Sequence, residues 1–396
     1  MAGRRKSGGF SRRFDGCVVV RPPLANEQLA EIPARRGVFL LSGEGGRAIL
    51  LTTAASIRAR LRNRLDEPVD EKRSRSADLR AITRAVHWKL AGGHFEMDFR
   101  YLEIARSIWP ETYPKLLSWR PAWFVHVNPE EAFPHFVRTR QVFAAPGQYL
   151  GPFESGRSAE RFLDAVRDGF DLCRDVRTLR RGPGGPRCAY GQMKRCLCPC
   201  DGSVSMEAYR RAVAEAARFA AGGRDEHLQH LAERMRAASA ELAFERAAAL
   251  KARLGRLAEL AGEPYRHVGP ARAFGYLLIQ PSGSRRKVKV FRVDRGAIAE
   301  DKPPLDWPLV EGQVARAIRR MSRFVAEGAR RGSDPADRWR IGLVSRTLFS
   351  SISRGGLALR WHEPMAPAEV SAAIESAAAD LGLSATRTGP AAPEAG

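Results

Sequence analysis

Residues 187–202 read RCAYGQMKRCLCPCDG, and four of the six cysteines in this chain fall within that stretch. Seven residues separate Cys188 from Cys196 and three separate Cys196 from Cys200; Cys198 lies between the last two and Cys173 upstream. Thiolates are ligands for soft metals, and so sulfur-rich a set suits zinc or an iron–sulfur cluster, with spacing alone choosing neither. The segment is opened by RRGPGGPR, which has no apolar pattern of its own. A bound inorganic centre would pin a loop too small to fold on a hydrophobic core.

Working outward, the compartment bears on those thiols. The N-terminus, MAGRRKSGGFSRRFDG, is basic but runs into no long apolar stretch with a small-residue cleavage site. A reducing cytoplasm is therefore the expected location, where clustered cysteines serve as metal ligands rather than disulfides. No run reaches the ~18 apolar residues of a membrane span, and no membrane partner is expected. Mean hydropathy of −0.34 fits a globular chain, and 396 residues exceed what one core usually serves, so several domains are expected. Net charge is +22, with 66 Lys and Arg against 44 Asp and Glu. Arginine bias over the nine lysines follows from base composition, but the surplus itself favours a polyanionic partner, DNA first.

Residues 37–65, GVFLLSGEGGRAILLTTAASIRARLRNRL, read as strand, glycine turn, strand and an arginine-studded helix. Arg58, Arg60, Arg62 and Arg64 on that helix are candidate DNA contacts. A helix is expected near 95–109, strands at AWFVHV and HFVRTRQVF, and a serine-capped helix in YLGPFESGRSAERFLDAVRDGF. From 205 to 262 the pattern is helical, broken at the glycines of FAAGG. The tail reads as a hairpin around PSGSRR, where Arg285, Arg286, Lys287 and Lys289 are either phosphate contacts or a solvated turn. A helix at VEGQVARAIRRMSRFVAEGARR and a last one near APAEVSAAI follow.

PRCAYGQMKRCLCPCDGSVSMEAYRRAV resembles, cysteine spacing included, a segment of the UvrC family of the bacterial UvrABC excinuclease. FPHFVRTR and QYLGPFESGRSAERFLDAVRDGFDL resemble the family's upstream segments, and LAERMRAASAELAFERAAALKARLGRL resembles its UVR motif. The likeness runs over roughly 35–262 and is strongest from 133 to 257. It implies a [4Fe–4S] cluster, with zinc the alternative, on Cys188, Cys196 and Cys200. Cys173 or Cys198 would be the fourth ligand. It also implies that 227–260 binds a UvrB-like helicase subunit. Met235, Leu242, Phe244, Glu245 and Ala248 lie on that face, with Lys251–Ala252 where the family has an Arg–Asp pair. An intramolecular seam fits the same apolar spacing, since Leu231, Leu250, Leu254 and Leu257 share it.

The same resemblance implies a GIY-YIG nuclease-like domain at the N-terminus. Phe39 and Leu50 stand where that family has tyrosines, and Thr52 and Thr53 replace its glycine and lysine. Arg60 falls on its catalytic arginine and Glu103 on its metal-binding glutamate, for Mg²⁺ or Mn²⁺. Neither Phe39 nor Leu50 relays a proton, so a weak or absent endonuclease is expected. The alternative is an active one using His94 or ordered water. Neither the RNase H-like nor the helix–hairpin–helix domains of the family are recognisable in 263–396.

The expected fold is thus α+β and multidomain. A disordered arm (1–16) precedes a degenerate GIY-YIG-like domain (17–130), a Cys-rich region (131–204) and a helical region with the UVR motif (205–262). An unassigned basic α+β domain (263–385) and a disordered tail (386–396) complete it.

Overall fold

In the computed structural model the described residues are 13–66 and 78–306, apart from 22, 25–26 and 285, together with 336–350, 356–361, 372 and the segments 309–310 and 386–387. Residues 1–12 of the expected arm 1–16, Arg285, the expected helix near 311–332, the one near 366–374 apart from Ala372, and residues 388–396 of the expected tail 386–396 lie outside them. Within the expected arm, Phe14 is buried in the core and Gly16 opens a strand.

The first sheet grows from the hairpin. Strands β1 (Gly16–Val19), β2 (Gly37–Ser42), β3 (Ala48–Ala54) and β4 (Ala85–Leu90) pair antiparallel in the order β1-β4-β2-β3. Gly45 and Gly46 take positive φ in the β2–β3 turn, which glycine does at little cost. Every residue of β2 is buried, because both faces of the sheet are covered, and its sequence accordingly runs apolar without alternation. Phe39 and Leu41 pack with Ile57 and Leu61 of helix α1 (Ile57–Asp66). Val38 and Leu40 face the other way, towards Phe95, Phe99 and Leu102 of α3 (His94–Ile108), the four-residue α2 (Leu79–Ile82) lying between.

The second sheet runs β6 (Val137–Thr139), β5 (Trp123–Val127), β7 (Gln148–Phe153), β8 (Gly269–Pro270) in spatial order, after the short α4 (Tyr113–Leu116). Helix α5 (Gly156–Gly169) begins at Ser155, whose hydroxyl accepts from the Ser158 amide at 3.1 Å. Its Ala159, Phe162, Leu163 and Val166 are buried at helical spacing against the sheet. Short α6 (Val176–Leu179) and α7 (Ala189–Gln192) lead into α8 (Met206–Ala221), α9 (Arg224–Ala240) and α10 (Phe244–Ala258). Gly169 lets α10 close on α5: a Cβ there would stand 2.3 Å from a methyl of Leu257.

The tail forms a third sheet of β9 (Gly275–Pro281), β10 (Lys287–Asp294) and β11 (Ala297–Asp306), with β12 (Leu309–Val310) paired instead to β14 (Thr386–Arg387). Strand β13 (Leu357–Arg360) completes the order β11-β10-β9-β13. This sheet and the helix Asp337–Phe349 share one core with the first sheet. The ring of Phe291 lies 5.3 Å from that of Phe95, and Trp339 and Leu343 belong to the same cluster. The N-terminal and tail segments are therefore built around a common interior, although some 150 residues of other structure separate them in sequence.

Charges reinforce the joint. Glu96 on α3, 1% exposed, accepts from the Gly92 amide at 2.8 Å and pairs with Lys289 of β10 at 2.6 Å. Arg100 bridges Glu96 to Glu300 of β11, and Lys289 also reaches Glu300 at 3.4 Å. Two carboxylates, Glu96 and Glu300, thus meet Arg100 and Lys289, with Lys302 at 3.7 Å from Glu300 as well, the arrangement that makes such burial tolerable.

Candidate functional site

The cysteine loop hangs between α5 and α8. Its backbone is tied to both ends: the Leu197 amide donates to Asp171 O at 2.8 Å, the Gly185 amide to Cys200 O at 2.7 Å, and the Cys173 amide to the Tyr209 hydroxyl at 3.1 Å. Arg195 pairs with Asp168 at 2.7 Å and Arg174 with the same carboxylate at 2.5 Å. Burial opposes ionisation of Asp168, but the hydrogen bonds and charges of Arg174 and Arg195 outweigh it and hold its pKa below the ordinary carboxylate value.

Cys173, Cys196, Cys198 and Cys200 are buried and Cys188 is half-buried; all are free thiols. The Cys173 thiol donates to Asp175 O at 3.3 Å, and the sulfur of Cys196 accepts from the Cys198 amide at 3.4 Å. The proximity of the Cys173 and Cys196 thiols lowers the pKa of Cys173 and, with burial, raises that of Cys196. Cys188 and Cys200 are both within electrostatic reach of Cys173. Cys198 adopts φ of +56° and packs on Gly191, where a Cβ would come within 2.5 Å of its sulfur. The donor set is all sulfur, which suits a soft centre in chemistry. Among the described residues, no group of three or more His, Cys, Asp or Glu side chains is arranged to hold a metal ion.

The nuclease-like positions lie on separate elements. Phe39 is fully buried on the α1 face of the first sheet, with Thr52 opposite it in register and Leu50 opposite Leu41. Arg60, Arg62 and Arg64 are exposed on α1, whereas Arg58 is spent on structure, donating to Ile32 O at 2.7 Å and Ala30 O at 2.8 Å. Glu103 lies on α3, across the sheet from α1, and is engaged by Arg340 of the tail helix at 2.8 Å. In the tail hairpin Arg286 and Lys287 are exposed, Lys287 3.7 Å from Asp306, while Lys289 is committed to Glu96 and Glu300. That buried ion cluster was not foreseen from the sequence, where Glu96 and Arg100 look like an ordinary solvated i,i+4 pair.

The helical hairpin divides by face. On its inner face Leu231, Ala238, Leu250 and Leu257 are buried, and Met235, Ala243, Ala247 and Leu254 pack partly against the same core. At its tip Leu242 is 71% exposed and Phe244 64%, with Glu245 and Ala248 exposed beside them. Leu242 sits at φ +59°, turning the chain between α9 and α10. The intramolecular seam thus holds for Leu231, Leu250 and Leu257, while Leu242 and Phe244 face solvent.

Residues 122–219 match the family described as UvrC/Cho excinuclease, middle domain. The chain is 29% identical to UvrABC system protein C of Moorella thermoacetica and 30% identical to that of Hyphomonas neptunium, each over 59% of this chain and 38% of the relative. It is 27% identical to that of Desulforudis audaxviator over 69% of this chain and 44% of the relative. The match therefore spans less than half the length of these curated relatives. No solved structure matches the chain.

Proposed function

We propose that the chain is a UvrC-like nucleotide excision repair protein, cytoplasmic, that binds DNA and a UvrB-like helicase subunit and cuts DNA weakly or not at all; the likeness to UvrABC system protein C supports this reading. The observation that carries the partner reading is the hairpin tip. Two large apolar side chains, Leu242 and Phe244, are held out in solvent on a hairpin whose inner face is packed, and such anchors are what a partner groove takes up. DNA binding rests on the +22 charge and on the exposed Arg60, Arg62 and Arg64. Cys173, Cys188, Cys196 and Cys200 are the proposed ligands of a [4Fe–4S] cluster, or of Zn²⁺, which would fix the loop ends between α5 and α8. The packing of Cys198 against Gly191 favours Cys173 as the fourth ligand. No described helix is long and apolar enough to cross a membrane.

Weak or absent cleavage by a GIY-YIG-like domain follows from three features. Phe39 and Leu50 have no proton to relay, Glu103 is held by Arg340, and Arg60 stands on the other side of the sheet. Loss of acid–base help alone slows a reaction on the order of 10²–10⁴-fold. The purified chain, incubated with lesion-bearing and branched DNA and Mg²⁺ or Mn²⁺, should bind without appreciable nicking. Cutting that vanishes in an Arg60→Ala, Glu103→Ala double variant would establish the metal-dependent endonuclease instead.

A further inference from the structure

We infer that the turn between Cys188 and Cys196 is a nucleic-acid contact in which Tyr190 and Met193 meet unstacked bases while Lys194 and Arg195 meet phosphates. The inference rests on the DNA-binding reading above and assigns it a surface. The turn is rigid: Met193 N donates to Ala189 O at 3.0 Å, Lys194 N to Gly191 O at 3.1 Å and Arg195 N to Tyr190 O at 2.9 Å. Its underside is buried, with Gly191 against the sulfur of Cys198 and the side chain of Arg187. Its outer side carries Met193, 55% exposed, and Tyr190, 36% exposed, both large apolar groups that this small turn leaves in water.

Arg174 lies beside Tyr190, and Lys194 and Arg195 follow Met193 directly in the turn. Lys194 is exposed and makes no ion pair among the described residues, and the exposed Arg180 and Arg181 on the same loop make none either. The Arg174 guanidinium lies 5.2 Å from the centre of the Tyr190 ring, and Arg174 and Arg195 are both fixed by Asp168. An exposed aromatic ring and a thioether among positive charges are suited to a ligand that offers flat apolar faces and negative charge together. Nucleic acid with unpaired bases has both, since bases stack on aromatic rings and flexible apolar side chains wedge between base steps. A purely apolar protein groove would gain nothing from the cations.

The test uses the full chain and a labelled DNA duplex with a central unpaired bubble, beside the same duplex fully paired. Affinities are read by fluorescence anisotropy across a salt series. Tyr190→Ala with Met193→Ala should weaken bubble binding about tenfold and leave the paired duplex as it was, and Tyr190→Phe should keep wild-type strength. Lys194→Glu should reduce the slope of log affinity against log salt by about one on both DNAs. Thermal unfolding of each variant, expected unchanged because the side chains are exposed, controls for folding. Wild-type affinity in the double alanine variant, or equal loss on both DNAs, overturns the assignment. A wild-type chain that binds neither DNA overturns the DNA-binding reading itself, and that outcome is distinct from the others.

Discussion

Phe244→Asp should abolish capture of a UvrB-like partner while leaving the chain folded. Phe244 is 64% exposed and belongs to no internal core, so a carboxylate there meets only water in the free protein. In a complex, the same carboxylate would be driven into an apolar groove without a partner charge. Truncating a central aromatic anchor costs about 2 kcal/mol or more, roughly a thirtyfold loss of affinity, and burying an unpaired charge adds to it. Leu257→Asp is the instructive contrast. Leu257 is fully buried against Gly169, and its replacement should unpack the inner face of the hairpin. Surface plasmon resonance against an immobilised UvrB-like subunit, with circular dichroism of each variant, separates the two effects. Undiminished capture by Phe244→Asp would mean that the hairpin tip is not the docking face.

The second large effect concerns the joint between α3 and the tail sheet. Lys289→Met should destabilise the protein by about 3 kcal/mol, because it strips a cation from Glu96, which is 1% exposed. Arg100 and the Gly92 amide still serve Glu96, which keeps the loss at the lower end of the range for broken buried pairs. Glu96→Gln in the same background should recover part of it, since removing both charges leaves no orphan. Urea unfolding of the two single variants and the double variant gives the coupling energy, expected above about 1 kcal/mol. Strict additivity would show that the pair is not coupled. The same experiment bears on domain structure. With Phe291, Phe95, Trp339 and Leu343 in one cluster, probes in the N-terminal segment and in the tail should report a single transition.

What the sequence disclosed follows from how each element announces itself. The first hairpin and α1 were legible because apolar runs flank a glycine turn. α5 was legible because a capping serine precedes residues at helical spacing. β11 was not. Pro303 and Pro304 lie within it, and prolines argue against a central strand; as an edge strand of the third sheet it tolerates them. The pairing of Glu96 with Lys289 was hidden for another reason: nearly two hundred residues separate them, and charges are read as solvated until a fold brings them together. The hairpin shows a third limit. Apolar periodicity marks Leu231, Leu242, Phe244 and Leu257 alike, but only the approach of α5 decides which of them meets protein and which meets water.

The cysteine loop stands out in the sequence as four thiols in a charged, proline- and glycine-bounded segment. The nearness of Cys173 to the loop depends on the way α5 and α8 bring the loop ends together, which spacing does not encode. The sulfur quartet is tested most directly through the iron, zinc and acid-labile sulfide contents of protein purified without oxygen. About four irons and matching sulfide per chain are expected, or failing that one zinc, with content falling and thermal stability dropping in Cys173→Ser and Cys200→Ser. Protein that contains neither metal and loses no stability on chelation would contradict the assignment of these thiols as ligands.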